Sequence, residues 1–344
     1  MSHRYDIYGL VVDSDVELHL GRAASPEREP DLVIRRDPRP VPTGALVGRL
    51  VLEHVADDGR WYHAVERDDG AMVLRFDDLC DMELAADGRH AAWRLAPGGD
   101  AGVAGVLVAG AFLAFVLTWR GDLVLHGSAV DLRRSDDDGT GPSTIGFVGR
   151  SGMGKSTMAT LLCRAGGRLV TDDILVVDPV DPATGMRVPR SGAVETRLRP
   201  GAATLVDELG AAGSPVRTSG DDRRVLRLAG ETGPVPGGLA ALVVPLPDRT
   251  HDVLRLHRLT TREAVVALLR FPRLSQWLDH SVSARHFAEL AALAADVPVL
   301  LAHVPWGPPF RRDVVQELIE TVLTGDLPDP APVFGASGQR VVPV

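Results

Sequence analysis

The segment GRSGMGKST, residues 149–157, has the residue types and the spacing that bind phosphate. It fits the pattern G-x-x-x-x-G-K-[ST], in which glycines let backbone amides curl around phosphate oxygens. The lysine supplies positive charge near the β and γ phosphates, and the serine hydroxyl can ligate Mg²⁺. We therefore predict that the chain binds ATP and Mg²⁺ through Gly149, Ser151, Gly152, Gly154, Lys155, Ser156 and Thr157.

Two adjacent aspartates, Asp172 and Asp173, follow Lys155 by 17 residues and precede an apolar run. A helix over 155–165 would lead about 16 Å away from the phosphates, and the two glycines after it are a typical helix end. A strand over 168–171 would lead back about 13 Å, which returns both carboxylates to the phosphates. We predict that one carboxylate holds Mg²⁺ and the other accepts the proton of an attacking hydroxyl. A solvated turn between two strands is the alternative.

The elements around this segment predict an α/β core, because strand, helix and strand alternate from residue 145 onwards. Downstream, 239–246, 252–259 and 297–305 have strand patterns, and 286–295 and 312–323 have helical ones. Thr260 and Glu263 form a capping box that predicts a helix start. The motifs that read guanine, and the signature of transporter ATPases, are both missing from the sequence.

The first hundred residues are predicted to form a β-rich module, because alternating runs at 5–12, 45–55 and 71–78 are separated by turn-forming residues. Residues 101–119 carry no charge, and their length is about that needed to cross a bilayer. Their Ala and Gly content, and the lack of a basic cluster beside them, favour a buried connecting helix over a membrane span.

The composition predicts the size of the core and argues against some partners and locations. A chain of 344 residues with 45% hydrophobic content can bury a large core, which predicts two domains. The net charge of −9 argues against a nucleic-acid partner. Cys80 and Cys163 are the only cysteines, and the first residues lack a secretory pattern, so a cytoplasmic location is expected. The oligomeric state stays open, a homo-oligomer included.

Taken together, three segments resemble the HPr kinase/phosphorylase family, whose catalytic domain is related to phosphoenolpyruvate carboxykinase. They are LVLHGSAVDL (123–132), GFVGRSGMGKST (146–157) and RAGGRLVTDDILVV (164–177), and VETRLRP (194–200) is a further match. The layout looks closest to the HPr kinase-like serine kinases of bacterial peptide-modification clusters, such as those that phosphorylate lasso-peptide precursors. The resemblance covers roughly residues 120–325.

The resemblance implies a P-loop catalytic domain with a mixed sheet over 121–328, a β-rich N-terminal domain over 1–100, a connecting helix over 101–120 and a loose tail over 329–344. It implies Asp173 as general base, Asp172 and Ser156 as Mg²⁺ ligands, His126 beside the reacting phosphate and Arg197 as the residue that stabilises transferred charge. For His126 a core histidine, and for Arg197 a strand arginine in an ion pair, are the alternatives. Weaker candidates are Glu195, Arg199, Arg223 and Arg224.

Two departures separate the chain from typical HPr kinases. Thr157 replaces the usual Glu after the P-loop serine, and the expected Arg-Gly-Leu-Gly segment reads Arg197-Leu198-Arg199-Pro200. We therefore expect an ATP- and Mg²⁺-dependent kinase that phosphorylates a hydroxyl, with serine as the expected acceptor, on a peptide or protein other than HPr, such as a ribosomally made precursor peptide. The alternatives are a kinase for a free amino acid or metabolite, and a nucleotide-binding regulatory protein without turnover.

Overall fold

The computed structural model describes residues 2–18, 24, 27–55, 61–76, 79–133, 141–199, 202–211, 216–218, 224–228 and 237–332. Within these residues the protein is mixed α/β. The strands are β1 His3–Ile7, β2 Leu10–Ser14, β3 Leu32–Arg36, β4 Arg49–Val55, β5 Trp61–Glu66, β6 Met72–Phe76, β7 Cys80–Leu84, β8 His90–Leu95, β9 Val124–Asp131, β10 Thr144–Val148, β11 Arg168–Thr171, β12 Ile174–Val176, β13 Glu195–Leu198, β14 Val216–Thr218, β15 Arg224–Arg227, β16 Leu239–Asp248, β17 Arg255–Arg258 and β18 Val299–Pro305. The helices are α1 Ala101–Leu107, α2 Leu113–Trp119, α3 Lys155–Arg164, α4 Ala203–Ala211, α5 Thr261–Leu268, α6 His280–Asp296 and α7 Arg312–Thr324.

The N-terminal part is one eight-stranded sheet in the order β1-β2-β3-β8-β7-β6-β5-β4. Most neighbours are antiparallel, but β3 pairs in parallel with both β2 and β8. The apolar run 5–12, interpreted above as one strand, is a hairpin. Tyr8 and Gly9 both have positive φ, 52° and 80°, as a tight two-residue turn between twisted strands requires.

The second sheet carries the phosphate-binding motif and is mixed, as predicted. Its order is β11-β9-β10-β16-β18-β17, and β12 also pairs with β9. The strands β10, β16 and β18 are parallel, whereas β9 is antiparallel to both β10 and β11. The carboxyl ends of β10 and β11 therefore lie at the same edge of the sheet, with the first residues of β9 between them.

The uncharged segment forms a helix that is mostly buried. Its two α-helical parts, α1 and α2, are joined by a π-helical turn over Val108–Phe112 that the sequence did not predict. By length and composition the helix could cross a membrane, with a mean hydropathy of 2.3, but 67% of its most apolar window is inside the protein. It shares one hydrophobic core with the N-terminal sheet and with Val124 and Ile174 of the second sheet.

Most of the remaining elements agree with the sequence patterns. The predicted capping box is present: Thr260 Oγ1 accepts from the Glu263 amide, and the Glu263 carboxylate accepts from the Thr260 amide. The helix α6 begins at His280, six residues before the predicted 286, because Asp279 caps it by accepting from the Ser281 amide. The predicted tail from 329 is described only as far as residue 332.

Candidate phosphoryl-transfer site

The loop between β10 and α3 has the backbone of a phosphate cradle. Gly152 and Gly154 adopt left-handed conformations, with φ of 88° and 92°, which side chains rarely tolerate. A Cβ on Gly154 would also overlap the ring of Trp306, which packs against the loop. The loop leads directly into the N-terminus of α3, where free amides and the helix dipole favour an anion.

Lys155 is the only lysine in the whole chain, where every other strongly basic side chain is arginine. It is buried, and its Nζ donates to the Arg150 carbonyl oxygen at 2.8 Å. An ammonium group held at the loop backbone is a point charge suited to phosphate oxygens. The lysine is therefore held within the loop that would surround a phosphate.

A cavity of about 260 Å³ opens above this loop. Six of the seven predicted nucleotide-binding residues line it, from Ser151 to Thr157, whereas Gly149 lies outside it at the end of β10. Arg199 also lines it and donates from Nη2 to Ser151 Oγ at 2.7 Å. The opposite wall contains residues that the sequence did not single out: Arg249, Trp306 and Phe310.

Asp172 is buried and accepts hydrogen bonds from three hydroxyls. Ser156 Oγ donates to Oδ1 at 2.9 Å, Ser128 Oγ donates to the same oxygen at 2.5 Å, and Thr196 Oγ1 donates to Oδ2 at 2.7 Å. The first bond joins the P-loop serine to a carboxylate 16 residues away. The helix and strand thus return the chain to the P-loop, as their lengths predicted.

Asp173 stands at a break in strand pairing. The strands β11 and β12 both pair with β9, but the two aspartates between them lie outside the ladder. Asp173 has a φ of 71°, a left-handed conformation in which Asp is better tolerated than most residues. Thr171 Oγ1 donates to the Ile174 carbonyl at 2.6 Å and closes the kink. The like-charged pair in front of an apolar run is therefore a turn within a strand.

Three basic side chains surround the Asp173 carboxylate. Arg273 Nη2 is 3.1 Å and Arg197 Nη2 is 3.5 Å from Oδ2, and His126 Nδ1 is 3.3 Å from Oδ1. Burial alone would raise the pKa of Asp173, but the charge of Arg273, the hydrogen bond from His126 and the charge of Arg197 hold it well below its ordinary value. The carboxylate is therefore ionised throughout the neutral pH range.

His126 lies at the start of β9, between the P-loop and the Asp173 turn. Burial lowers the pKa of its imidazole, and the nearby Lys155 and Arg273 charges act in the same direction, against the opposing effect of Asp173. The ring is therefore neutral at pH 7. Nδ1 is also 3.1 Å from the Asp173 carbonyl oxygen, so a proton on Nδ1 would hold both the backbone and the side chain of the turn.

The π-helical turn brings the connecting helix against this ion cluster. A Cβ built on Gly110 would lie 3.1 Å from Asp173 Oδ2 and 3.4 Å from Arg273 Nη2. Single-turn π segments within α-helices are frequent at functional sites. A glycine here allows the helix backbone to approach the Asp173 carboxylate. A larger residue would displace that carboxylate.

We expect Gly110→Ala to lower the rate of phosphoryl transfer about tenfold or more, because small displacements of a reacting group are costly. The free energy of unfolding should not fall, since alanine in a helix is about 0.5–1 kcal/mol more favourable than glycine. Gly105→Ala is the control for the unfolding measurement alone, because its Cβ would meet no atom within 4 Å. A lower rate of phosphoryl transfer that is accompanied by a lower free energy of unfolding in Gly110→Ala would contradict a positioning role.

The weaker candidates are distributed differently. Glu195 and Arg197 lie on β13, and both line a second cavity on the far side of Asp173. Arg224 lies on β15 and donates to Asp207 at 2.6 Å, and it lines neither cavity. Arg223 lies outside the described residues.

Among the described residues, no group of three or more His, Cys, Asp or Glu side chains forms a metal site by itself. Magnesium ordinarily binds through one or two carboxylates together with phosphate oxygens and waters, rather than in an all-protein cage. The Ser156 hydroxyl and the Asp172 carboxylate, joined at 2.9 Å, are a donor set of that kind. The residues present therefore fit Mg²⁺ bound together with a nucleotide.

Comparison of the sequence with protein-family models gives no match, and comparison with curated proteins gives none either.

Proposed function

We propose that this chain is an ATP- and Mg²⁺-dependent kinase with an HPr kinase-like P-loop domain, which transfers the γ-phosphate to a serine hydroxyl of a peptide or protein. The observation that carries the proposal is the hydrogen bond between Ser156 and Asp172, with Asp173 next to it at the border of two cavities. A nucleotide-binding regulatory protein would not require a second carboxylate beside the first.

Each residue has a task that its contacts support. Lys155 and the loop amides bind the phosphates of ATP, and Asp172 orients Ser156 for the metal, which would neutralise charge on the phosphates. Asp173 orients the acceptor hydroxyl and takes its proton. Its low pKa is compatible with this task because the transition state of phosphoryl transfer is loose, and the hydroxyl proton leaves late.

Arg197 lines both cavities and makes the longest of the three contacts to Asp173, at 3.5 Å. That position lets the guanidinium interact with the phosphoryl group between donor and acceptor. Arg273 is closer, at 3.1 Å, and lines neither cavity, so its role is to hold Asp173 in place.

The experiment is a coupled assay of ADP formation with a mixture of serine-containing peptides. We expect ADP to form only when peptide, ATP and Mg²⁺ are all present, and to stop when EDTA removes the metal. ADP formation that is unaffected by peptide would indicate an ATPase, and no ADP formation with ATP bound would favour a regulatory protein.

A further inference from the structure

A second cavity, of about 430 Å³, lies on the side of Asp173 away from the P-loop. It shares Asp172, Asp173 and Arg197 with the cavity above the P-loop, and other elements form the rest of its wall. Two cavities that meet at a carboxylate provide separate binding sites for the phosphate donor and for the molecule that carries the acceptor hydroxyl. Its volume is in the range of pockets for small ligands.

One wall of this cavity is the first part of the connecting helix. Ala101, Gly105 and Ala109 are spaced four residues apart and share one helix face, with Gly102 and Val106 beside them. A Cβ built on Gly105 would meet no atom within 4 Å, so the small residues on this face leave the cavity open. Larger side chains at these positions would fill the cavity.

Another part of the wall comes from the turn between β1 and β2, through Tyr8, and from the segment after β2, through Val16, Glu17 and Leu18. Tyr8 is buried in the turn between β1 and β2, and its amide donates to the Ser191 carbonyl at 2.6 Å. Its hydroxyl accepts from the Ala193 amide at 3.4 Å. These two hydrogen bonds attach the hairpin to the segment that follows the aspartates, and they hold Tyr8 in the wall of the cavity.

The charges that line the cavity favour some acceptors over others. Glu17 and Glu195 add two carboxylates to the aspartate pair, and Arg197, which contacts Asp173, is the only cationic side chain among the described lining residues. The carboxylate of a free amino acid or of another metabolite would lie among these acidic side chains, where the one arginine of the described lining already contacts Asp173, and buried unpaired charge is costly. The interior of a peptide has no main-chain charge, and small apolar neighbours would match the alanine and glycine wall.

We propose, on the basis of the kinase function above, that this cavity receives the acceptor as a short unfolded peptide segment, with its hydroxyl residue flanked by small apolar residues. The N-terminal sheet then selects the acceptor, together with the small-residue face of the connecting helix. A folded protein cannot bring a serine to Asp173 by this route.

The test uses a positional-scanning library of end-blocked hexapeptides with one central serine, incubated with the full-length protein and Mg·ATP. We expect kcat/KM to be highest with Ala, Gly or Val beside the serine, and lowest with Asp or Glu. The series Gly105→Ala, Gly105→Val and Gly105→Leu should lower kcat/KM progressively, by about tenfold or more for leucine, because the added atoms occupy the cavity.

Mg·ATP affinity, measured in the same variants by calorimetry, reports separately on the proposed function. If the wild-type chain does not bind Mg·ATP, the kinase proposal fails. If it binds Mg·ATP but phosphorylates free serine or a folded protein better than any blocked peptide, the acceptor proposal is wrong. It is equally wrong if Gly105→Leu retains the wild-type kcat/KM. If Mg·ATP binds but no acceptor of any kind is phosphorylated, the kinase proposal itself fails.

Discussion

Replacing Asp173 with asparagine is expected to reduce phosphoryl transfer by about 10²–10⁴-fold, the usual contribution of a general base. The amide cannot take the hydroxyl proton, and it no longer balances the charges of Arg197 and Arg273. Affinity for Mg·ATP should be kept or increased, because the released Arg197 can interact with phosphate. Asparagine also tolerates the left-handed backbone at this position, so the turn should persist.

Two comparisons make this result specific. Asp172→Asn should raise the Mg²⁺ concentration needed for half-maximal rate, because this carboxylate orients Ser156, whereas Asp173→Asn should leave that concentration unchanged. Asp313→Asn is the control for loss of an Asp–Arg pair, since Asp313 is 65% exposed beside Arg311 and lines neither cavity. If instead Asp173→Asn raises the Mg²⁺ concentration for half-maximal rate and Asp172→Asn leaves it unchanged, the assignments of base and metal ligand must be exchanged.

The second large effect is expected for Lys155→Ala. Removal of the ammonium should weaken Mg·ATP binding by at least about tenfold, since a hydrogen bond to a charged group contributes roughly 1.5–3 kcal/mol. The transfer rate should fall by about 10²–10³-fold, because the same charge stabilises the phosphates in the transition state. Alanine is a strong helix former, so α3 should still begin at this residue. Calorimetry and steady-state kinetics measure the two losses.

Lys155→Arg is the matched variant. It keeps the charge but replaces a compact ammonium with a planar guanidinium, in a position that is buried. We expect partial loss of affinity, between the wild-type and alanine values. Wild-type Mg·ATP affinity in Lys155→Ala would show that the nucleotide does not bind at this loop.

The parts of the site that lie close together in sequence were predictable. The strand, glycine loop, helix and returning strand are consecutive, and their lengths alone place Asp172 near Ser156. The Thr260 capping box was predictable for the same reason, because all of its hydrogen bonds are between residues three apart. Local patterns carry this information directly.

Other residues near Asp173 come from distant elements and were not predicted, in contrast to His126 and Arg197. Arg273 is 100 residues away in sequence, in a short segment whose composition indicates only a loop. Tyr8 was assigned to the middle of a strand, because the hairpin depends on two positive φ values and only Gly9 carries a signal for one. Gly110 had a weak signal, a glycine inside a helical pattern, which usually has a packing or functional reason.

The central claim is that the P-loop and the aspartate pair transfer phosphate from ATP to a hydroxyl. It is tested most directly by incubating wild-type and Asp173→Asn protein with γ-labelled ATP, Mg²⁺ and the serine peptide library, and measuring label on serine. We predict labelled phosphoserine with the wild-type chain and a loss of about 10²-fold or more with Asp173→Asn, while both proteins bind Mg·ATP. Bound ATP without labelled peptide, or equal labelling by both proteins, would contradict the account.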